Sequence, residues 1–201
     1  MHRLNDTVVN WLNRFDWLGP LALRLYLAPV FWVAGMNKVG GFENVVNWFG
    51  NDDWGLGLPF PGLMAFLATA TEVAGGVLLL LGLATRWISI PLIATMIVAM
   101  GTVHLENGWQ AVHDAQSPYA SKYTFGIEAD DAGEASKRLD RAEDILRDNA
   151  NYEWLTEKGS FVVSNSGVEW AVTYLVMLLA LLFTGAGRIS LDHLLSRSRR
   201  E

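Results

Sequence analysis

Four stretches of this 201-residue chain stay apolar for about twenty residues each, the length of helix that crosses the hydrocarbon of a bilayer. They run from Pro20 to Val39, Leu63 to Ala84, Trp87 to Val103 and Val168 to Ala186. Backbone in hydrocarbon has no water to bond, so each stretch must satisfy its own amides as helix. The sequence therefore predicts an all-α fold, a four-helix transmembrane bundle forming a single membrane domain. Spans two and three are joined only around Thr85 and Arg86, which makes them antiparallel neighbours.

Orientation follows from lysine and arginine, which stay on the cytoplasmic side when they flank spans closely. Arg3, Arg14, Arg24, Arg86, Arg188, Arg197, Arg199 and Arg200 fall on one side of an alternating path, whereas the short first loop sets Lys38 against Glu43, Asp52 and Asp53. Both termini are expected in the cytoplasm. No cleavable signal peptide is expected, because Asp6 and Asp16 precede the first apolar stretch and no clear small-residue cleavage site follows it.

The net charge of −6 comes entirely from residues 106–167, where twelve acids face six basic residues. This acidic stretch is expected to be an extracytoplasmic insert, since loops of such length translocate largely regardless of charge. Within it Ala135, Leu139, Ala142 and Leu146 make a narrow apolar stripe, and Glu134 to Arg138 and Glu143 to Arg147 are favourable i,i+4 pairs, so a short surface helix is expected there. Tyr152–Thr156 and Ser160–Val163 read as a hairpin or part of a lid. The acidic balance argues against nucleic-acid binding, which needs a basic surface. The absence of cysteine excludes disulfides, thiolate metal sites and cysteine catalysis.

Before the first span, Leu4, Val8, Trp11, Leu12, Phe15 and Leu18 recur at helical spacing opposite Asn5, Asp6, Asn10, Asn13 and Arg14. An N-terminal amphipathic helix lying in the membrane interface is expected. Trp17, Trp48, Trp54, Trp87, Trp109 and Trp170 fall near span ends and read as an interfacial belt.

Ionisable side chains within spans are costly, roughly 2.5–3.5 kcal/mol each for Asp, Lys or Arg, and normally point inward at a partner. Glu72 lies near the middle of the second span. Lys38, His104 with Glu106, and Glu169 lie at the outer ends of the first, third and fourth. In one reading Glu72 is the counter-ion of Lys38 and these groups share an outward cavity that exchanges protons; in the other Lys38 reaches to the surface and Glu72 is a neutral packing carboxyl. Arg24, Arg86 and Arg188 are taken as structural anchors, with Arg24 extending toward the membrane surface. A metal site would need His104, Glu106, His113 and Glu169 to converge. His-x-Glu is not a recognised ligand spacing, and no metal ligand is assigned. Gly75 and Gly76, with Ala68 and Gly82, permit close helix packing.

The sequence resembles the DoxX family of small four-span bacterial membrane proteins. The resemblance rests on Leu23-Arg24-Leu25 with Phe31, Gly35 and Lys38; on Glu72 with Gly75-Gly76 and Leu81 to Arg86; on His104-Leu105 with Asn107-Gly108-Trp109; and on Gly167 to Trp170 with Gly185 to Asp192. The chain departs from the family in the length between Trp109 and Gly167. The resemblance implies a multi-pass protein of the bacterial inner membrane linked to oxidoreductase systems, among them a thiosulfate:quinone oxidoreductase subunit, to redox-stress complexes, or to maturation of metal-binding peptides.

The expected function is a membrane component of a redox system that binds a quinone or similar lipophilic molecule from the periplasmic side. Glu72 and His104 are the candidate catalytic residues, and Lys38, Glu169 and Asn107 the candidate substrate-binding residues. Electrons would come from a soluble or membrane redox partner, because no haem, iron–sulfur or dinucleotide motif is present. The alternatives are a non-enzymatic transport or scaffolding subunit that recruits a soluble partner through the acidic loop, and a copper-handling accessory protein. Self-association of so small a bundle is also expected.

Overall fold

The computed structural model describes residues 8–120, 123–128 and 132–198. Its main elements are α1 (Leu18–Gly40), α2 (Phe42–Gly50), α3 (Pro61–Leu81), α4 (Thr85–Ala99), a two-stranded hairpin of β1 (Tyr123–Thr124) and β2 (Ile127–Glu128), α5 (Ala132–Asn149), α6 (Tyr152–Leu155), α7 (Glu169–Thr184) and α8 (Leu191–Ser198). The chain divides into two compact units, Met1–Met96 with Tyr174–Glu201, and Ile97–Thr173.

In the first unit, which is helical, α1, α3, α4 and α7 share one apolar core. Leu27, Ala28 and Phe31 of α1, Leu79 of α3, Leu92 and Met96 of α4, and Leu178 and Leu181 of α7 are all buried together. The outward faces are equally apolar: Leu25, Trp32, Phe66, Leu80, Ile90, Val176 and Phe183 stand exposed. Apolar residues on both faces of a helix are what a lipid solvent allows and water does not. Among the described residues three helices are long and apolar enough to cross a membrane, Val8–Gly40, Pro61–Leu81 and Thr85–Asn107. The fourth expected span, Val168–Ala186, holds a shorter apolar helix, Glu169–Thr184, of 16 residues. Its axis is about 24 Å long at 1.5 Å per residue, against a hydrocarbon layer of roughly 30 Å.

The turn between spans two and three lies earlier than expected. Helix α3 stops at Leu81 because Gly82 enters the left-handed region (φ +64°), where its amide and that of Leu83 cap the carbonyls of Leu79 and Leu78. Ala84 also has positive φ, and Thr85, expected in the turn, begins α4. Beyond Ala99 the helix continues as a π turn, Met100–His104, then a 3-10 turn, Leu105–Asn107. The first loop contains α2, which the sequence reading did not anticipate.

The N-terminal amphipathic segment is described only from Val8. Residues 8–12 are helical and Asn13–Phe15 form a 3-10 turn, with Val8, Trp11, Leu12 and Phe15 exposed. Leu4, Asn5 and Asp6 lie outside the described residues.

The second unit carries the expected surface helix, α5, with Ala135 buried. Arg147 pairs with Glu143 at 3.5 Å, while Glu134 pairs with Lys137 at 2.5 Å. The expected hairpin over 152–163 does not form. Tyr152–Leu155 is helical, capped by the Asn151 carboxamide, which accepts from the Trp154 amide. The Ser160–Val163 side pairs elsewhere: Ser164 bridges Val112, and the His113 amide donates to the Val163 carbonyl. A hairpin forms instead at Tyr123–Glu128, where Phe125 and Gly126 both take positive φ, the turn geometry that suits strand twist.

Candidate functional site

Glu72 is eleven residues from the start of α3 and nine from its end, about 14–16 Å from either terminus at 1.5 Å per residue. A carboxylate at that depth needs a cation, and α1 supplies one. Lys38 Nζ donates to Glu72 Oε1 at 2.9 Å and Oε2 at 2.7 Å. The Glu72 side chain is 5% exposed and that of Lys38 25%, so the lysine is the accessible member of the pair.

The approach of α1 to α3 depends on two glycines. A Cβ on Gly35 would lie 2.7 Å from Val73 Cγ2 and 2.8 Å from Val73 N, and one on Gly76 would lie 2.8 Å from Trp32 N. All three distances are below van der Waals contact, so any larger residue would push the helices apart. Gly76 follows Glu72 by four residues and Gly35 precedes Lys38 by three, so each flanks the ion pair by one helical turn. Nearby Thr69 is also buried, its hydroxyl donating to the Ala65 carbonyl of its own helix at 2.7 Å.

His104, Asn107 and Glu169 belong to the second unit. His104 Nδ1 lies 2.7 Å from the Ser166 carbonyl, which requires a proton on Nδ1 and leaves Nε2 as the acceptor in the neutral ring. Asn107 donates to Val103 O at 3.1 Å and, at 3.5 Å, to the same Ser166 carbonyl. Glu169 Oε2 accepts from the Ala111 amide at 3.0 Å. Its carboxylate also lines a cavity of about 720 Å³ with His113, Ser136, Asp140 and Trp170. His113 is buried, with Nε2 2.9 Å from Ser136 Oγ. Trp109, read as part of the belt, stacks on Tyr119 (centroids 5.2 Å apart) and meets Phe125 edge-on. Among the described residues no group of three or more His, Asp or Glu side chains is placed to hold a metal ion.

The three arginines read as anchors gather at the other end of α1 and α3, where α4 begins and α7 ends. Arg24 does not extend to the surface. It is 1% exposed and donates to Leu79 O at 3.2 Å, to Leu80 O at 3.4 Å and to Ile189 O. Those acceptors include carbonyls of the last turn of α3, which have no partner within the helix. Arg86 donates to Phe183 O at 3.1 Å, and Arg188 to Asp16 Oδ2 at 2.9 Å. Asp192 was no candidate, yet it closes this end: its two carboxylate oxygens accept from the amides of Ala84 (2.7 Å) and Thr85 (3.0 Å) at the start of α4. A carboxylate is favoured at that helix terminus. The sequence signal for it was weak, because 107 residues separate Asp192 from Thr85.

The DoxX family model matches residues 19–105, the stretch that carries α1, α3, α4 and both members of the ion pair. A Bacillus subtilis (strain 168) protein, "Putative oxidoreductase CatD", is 37% identical over 95 residues, which are 47% of this chain and 66% of that protein. The match thus spans just under two thirds of the relative's length. No solved structure matches the chain. Residues 19–105 of this membrane protein, whose helices are long and apolar enough to cross a bilayer, match the DoxX family model.

Proposed function

We propose that the chain is the membrane component of a redox system and binds a quinone, or another lipophilic carbonyl compound, beside Lys38 and Glu72. The observation that carries this reading is the ion pair itself. A glutamate midway along one apolar helix, paired with a lysine in the last turn of its neighbour, is costly to place there and is met most often where a membrane protein handles protons or a polar head. Lys38 has three N–H donors and spends two on Glu72, so one remains for a carbonyl oxygen. Glu72 holds the ammonium in place through two charge-assisted hydrogen bonds. A bound quinone would supply two-electron chemistry, its electrons coming from a partner redox protein. The match to a relative named an oxidoreductase supports the same class.

The reading takes α7 as a fourth, short span, because Leu178 and Leu181 share the core of the other three. The termini are then on the cytoplasmic side, with residues 106–167 opposite, in the bacterial inner membrane. The test is organic extraction of the purified full-length protein. Quinone co-purifying with the wild type should fall about ten-fold in Glu72→Gln and Lys38→Met, the loss expected for one charge-assisted hydrogen bond. Equal quinone in all three proteins would overturn the assignment.

A second reading, a scaffolding role, is favoured by one observation: residues Ile97–Thr173 form a compact unit of their own. If that unit recruits a soluble partner, deleting residues 116–159 abolishes partner capture and leaves the quinone content unchanged.

A further inference from the structure

The basic end of the helical unit contains a cavity of about 900 Å³ that no role above uses. Trp17, Arg86, Trp87 and Arg188 line it, with Asp16 and Asp192. The two carboxylates are already engaged, Asp192 on the amides that open α4 and Asp16 on Arg188. Arg86 is different. Its guanidinium meets the Phe183 carbonyl and, among the described residues, has no carboxylate within ion-pair distance. It lies over Gly185, whose positive φ (+83°) turns the chain out of α7.

The cavity sits where α1 begins and α7 ends, at the limit of the apolar helices. Trp87 is 77% exposed beside it, the position an indole takes between hydrocarbon and headgroups. Two amphipathic segments flank it. Trp11, Leu12 and Phe15 precede α1, and Leu191, Leu194 and Leu195 lie on α8, all of them exposed. Exposed apolar faces continuous with membrane helices are covered by the bilayer surface, so what reaches the cavity is the headgroup layer.

We propose that this cavity binds the phosphate of an anionic phospholipid, with Arg86 as its principal ligand and Arg188 as the second. A guanidinium presents paired donors that match phosphate oxygens, and phosphate draws Arg188 away from an exposed ion pair of little worth. Trp17 and Trp87 pack along the glycerol and upper acyl carbons. The amphipathic flanks then hold the N-terminal segment and α8 flat on the same surface.

The test is native mass spectrometry of the full-length protein released from nanodiscs of phosphatidylglycerol or phosphatidylcholine. Wild type should retain phosphatidylglycerol preferentially. Arg86→Gln should reduce that preference about five-fold, the effect of one basic residue at a membrane surface. Asp16→Asn removes a competing carboxylate and should strengthen the preference, an effect that a purely structural Asp16–Arg188 bridge would not produce. Equal retention of the two lipids, or an unchanged preference in Arg86→Gln, overturns the proposal. So does displacement of phosphatidylglycerol by millimolar inorganic phosphate, which would assign the cavity to a free anion.

Discussion

Both units turn hydroxyls back onto their own helices, Thr102, Thr156 and Thr173 doing so in the second, and they differ in how their other polar groups are met. In the helical unit hydroxyls turn back onto their own helix: Thr69 donates to Ala65 O, Ser89 to Thr85 O and Thr95 to Pro91 O. Its charged groups are few and reach across tens of residues, Lys38 to Glu72, Arg24 to Leu79 and Asp192 to Thr85. In the second unit the bonds are local or between strap-like segments, such as Gln110 with Asp114 and Asn165 with Asn107. The first pattern suits lipid, where an unmet polar atom has no solvent to turn to; the second suits a chain that water can reach. Long-range polar contacts should therefore matter most in the helical unit.

The largest break in that comparison should come from Gly76→Leu. Its side chain has no room beside the Trp32 backbone, so the melting temperature in detergent should fall steeply, with a cost of about 3 kcal/mol. Gly101→Ala, where a Cβ meets nothing within 4 Å, should leave melting unchanged. Equal effects would mean that α1 and α3 are not held by close backbone contact.

Next comes Glu72→Ala, expected to cost about 2 kcal/mol, below the 3–5 typical of a fully buried pair because Lys38 is partly exposed. A double-mutant cycle with Lys38→Met sharpens this: a coupling above about 1 kcal/mol marks a direct pair, and additivity would show that the two residues act separately. Asp192→Ala should cost about 1 kcal/mol by uncapping α4, with Asp192→Asn recovering part of it. Full stability in the alanine variant would show that the α4 terminus finds other acceptors. The smallest effect is expected in the second unit. Glu143→Gln breaks a partly exposed helix pair with Arg147 and should cost about 0.3–0.5 kcal/mol by thermal melting, shrinking at high salt.

Much of this was legible in the chain itself. Apolar stretches of span length are a one-dimensional property, so α1, α3 and α4 could be read to within a few residues. The cost of charge in hydrocarbon singled out Lys38 and Glu72 before any geometry. The helix over residues 132–149 followed from its stripe and its i,i+4 charges. Arg24 was misjudged, because burial against the end of α3 depends on a partner 55 residues away. The stacking of Trp109 on Tyr119 was not legible either, since an indole near a span end and an indole in an aromatic cluster look alike in sequence.

The sequence alone determined that this chain belongs in a membrane and which charges would have to be neutralised there. Solvation by lipid acts on each segment separately, and so leaves its mark on each segment's composition. Only the tertiary structure decided that Gly35 and Gly76 let Lys38 reach Glu72, that Asp192 closes the start of α4, and that Arg86 lines a cavity with, among the described residues, no carboxylate within ion-pair distance of it. Those outcomes depend on which backbones come within contact distance, and contact between distant segments is set by packing in three dimensions.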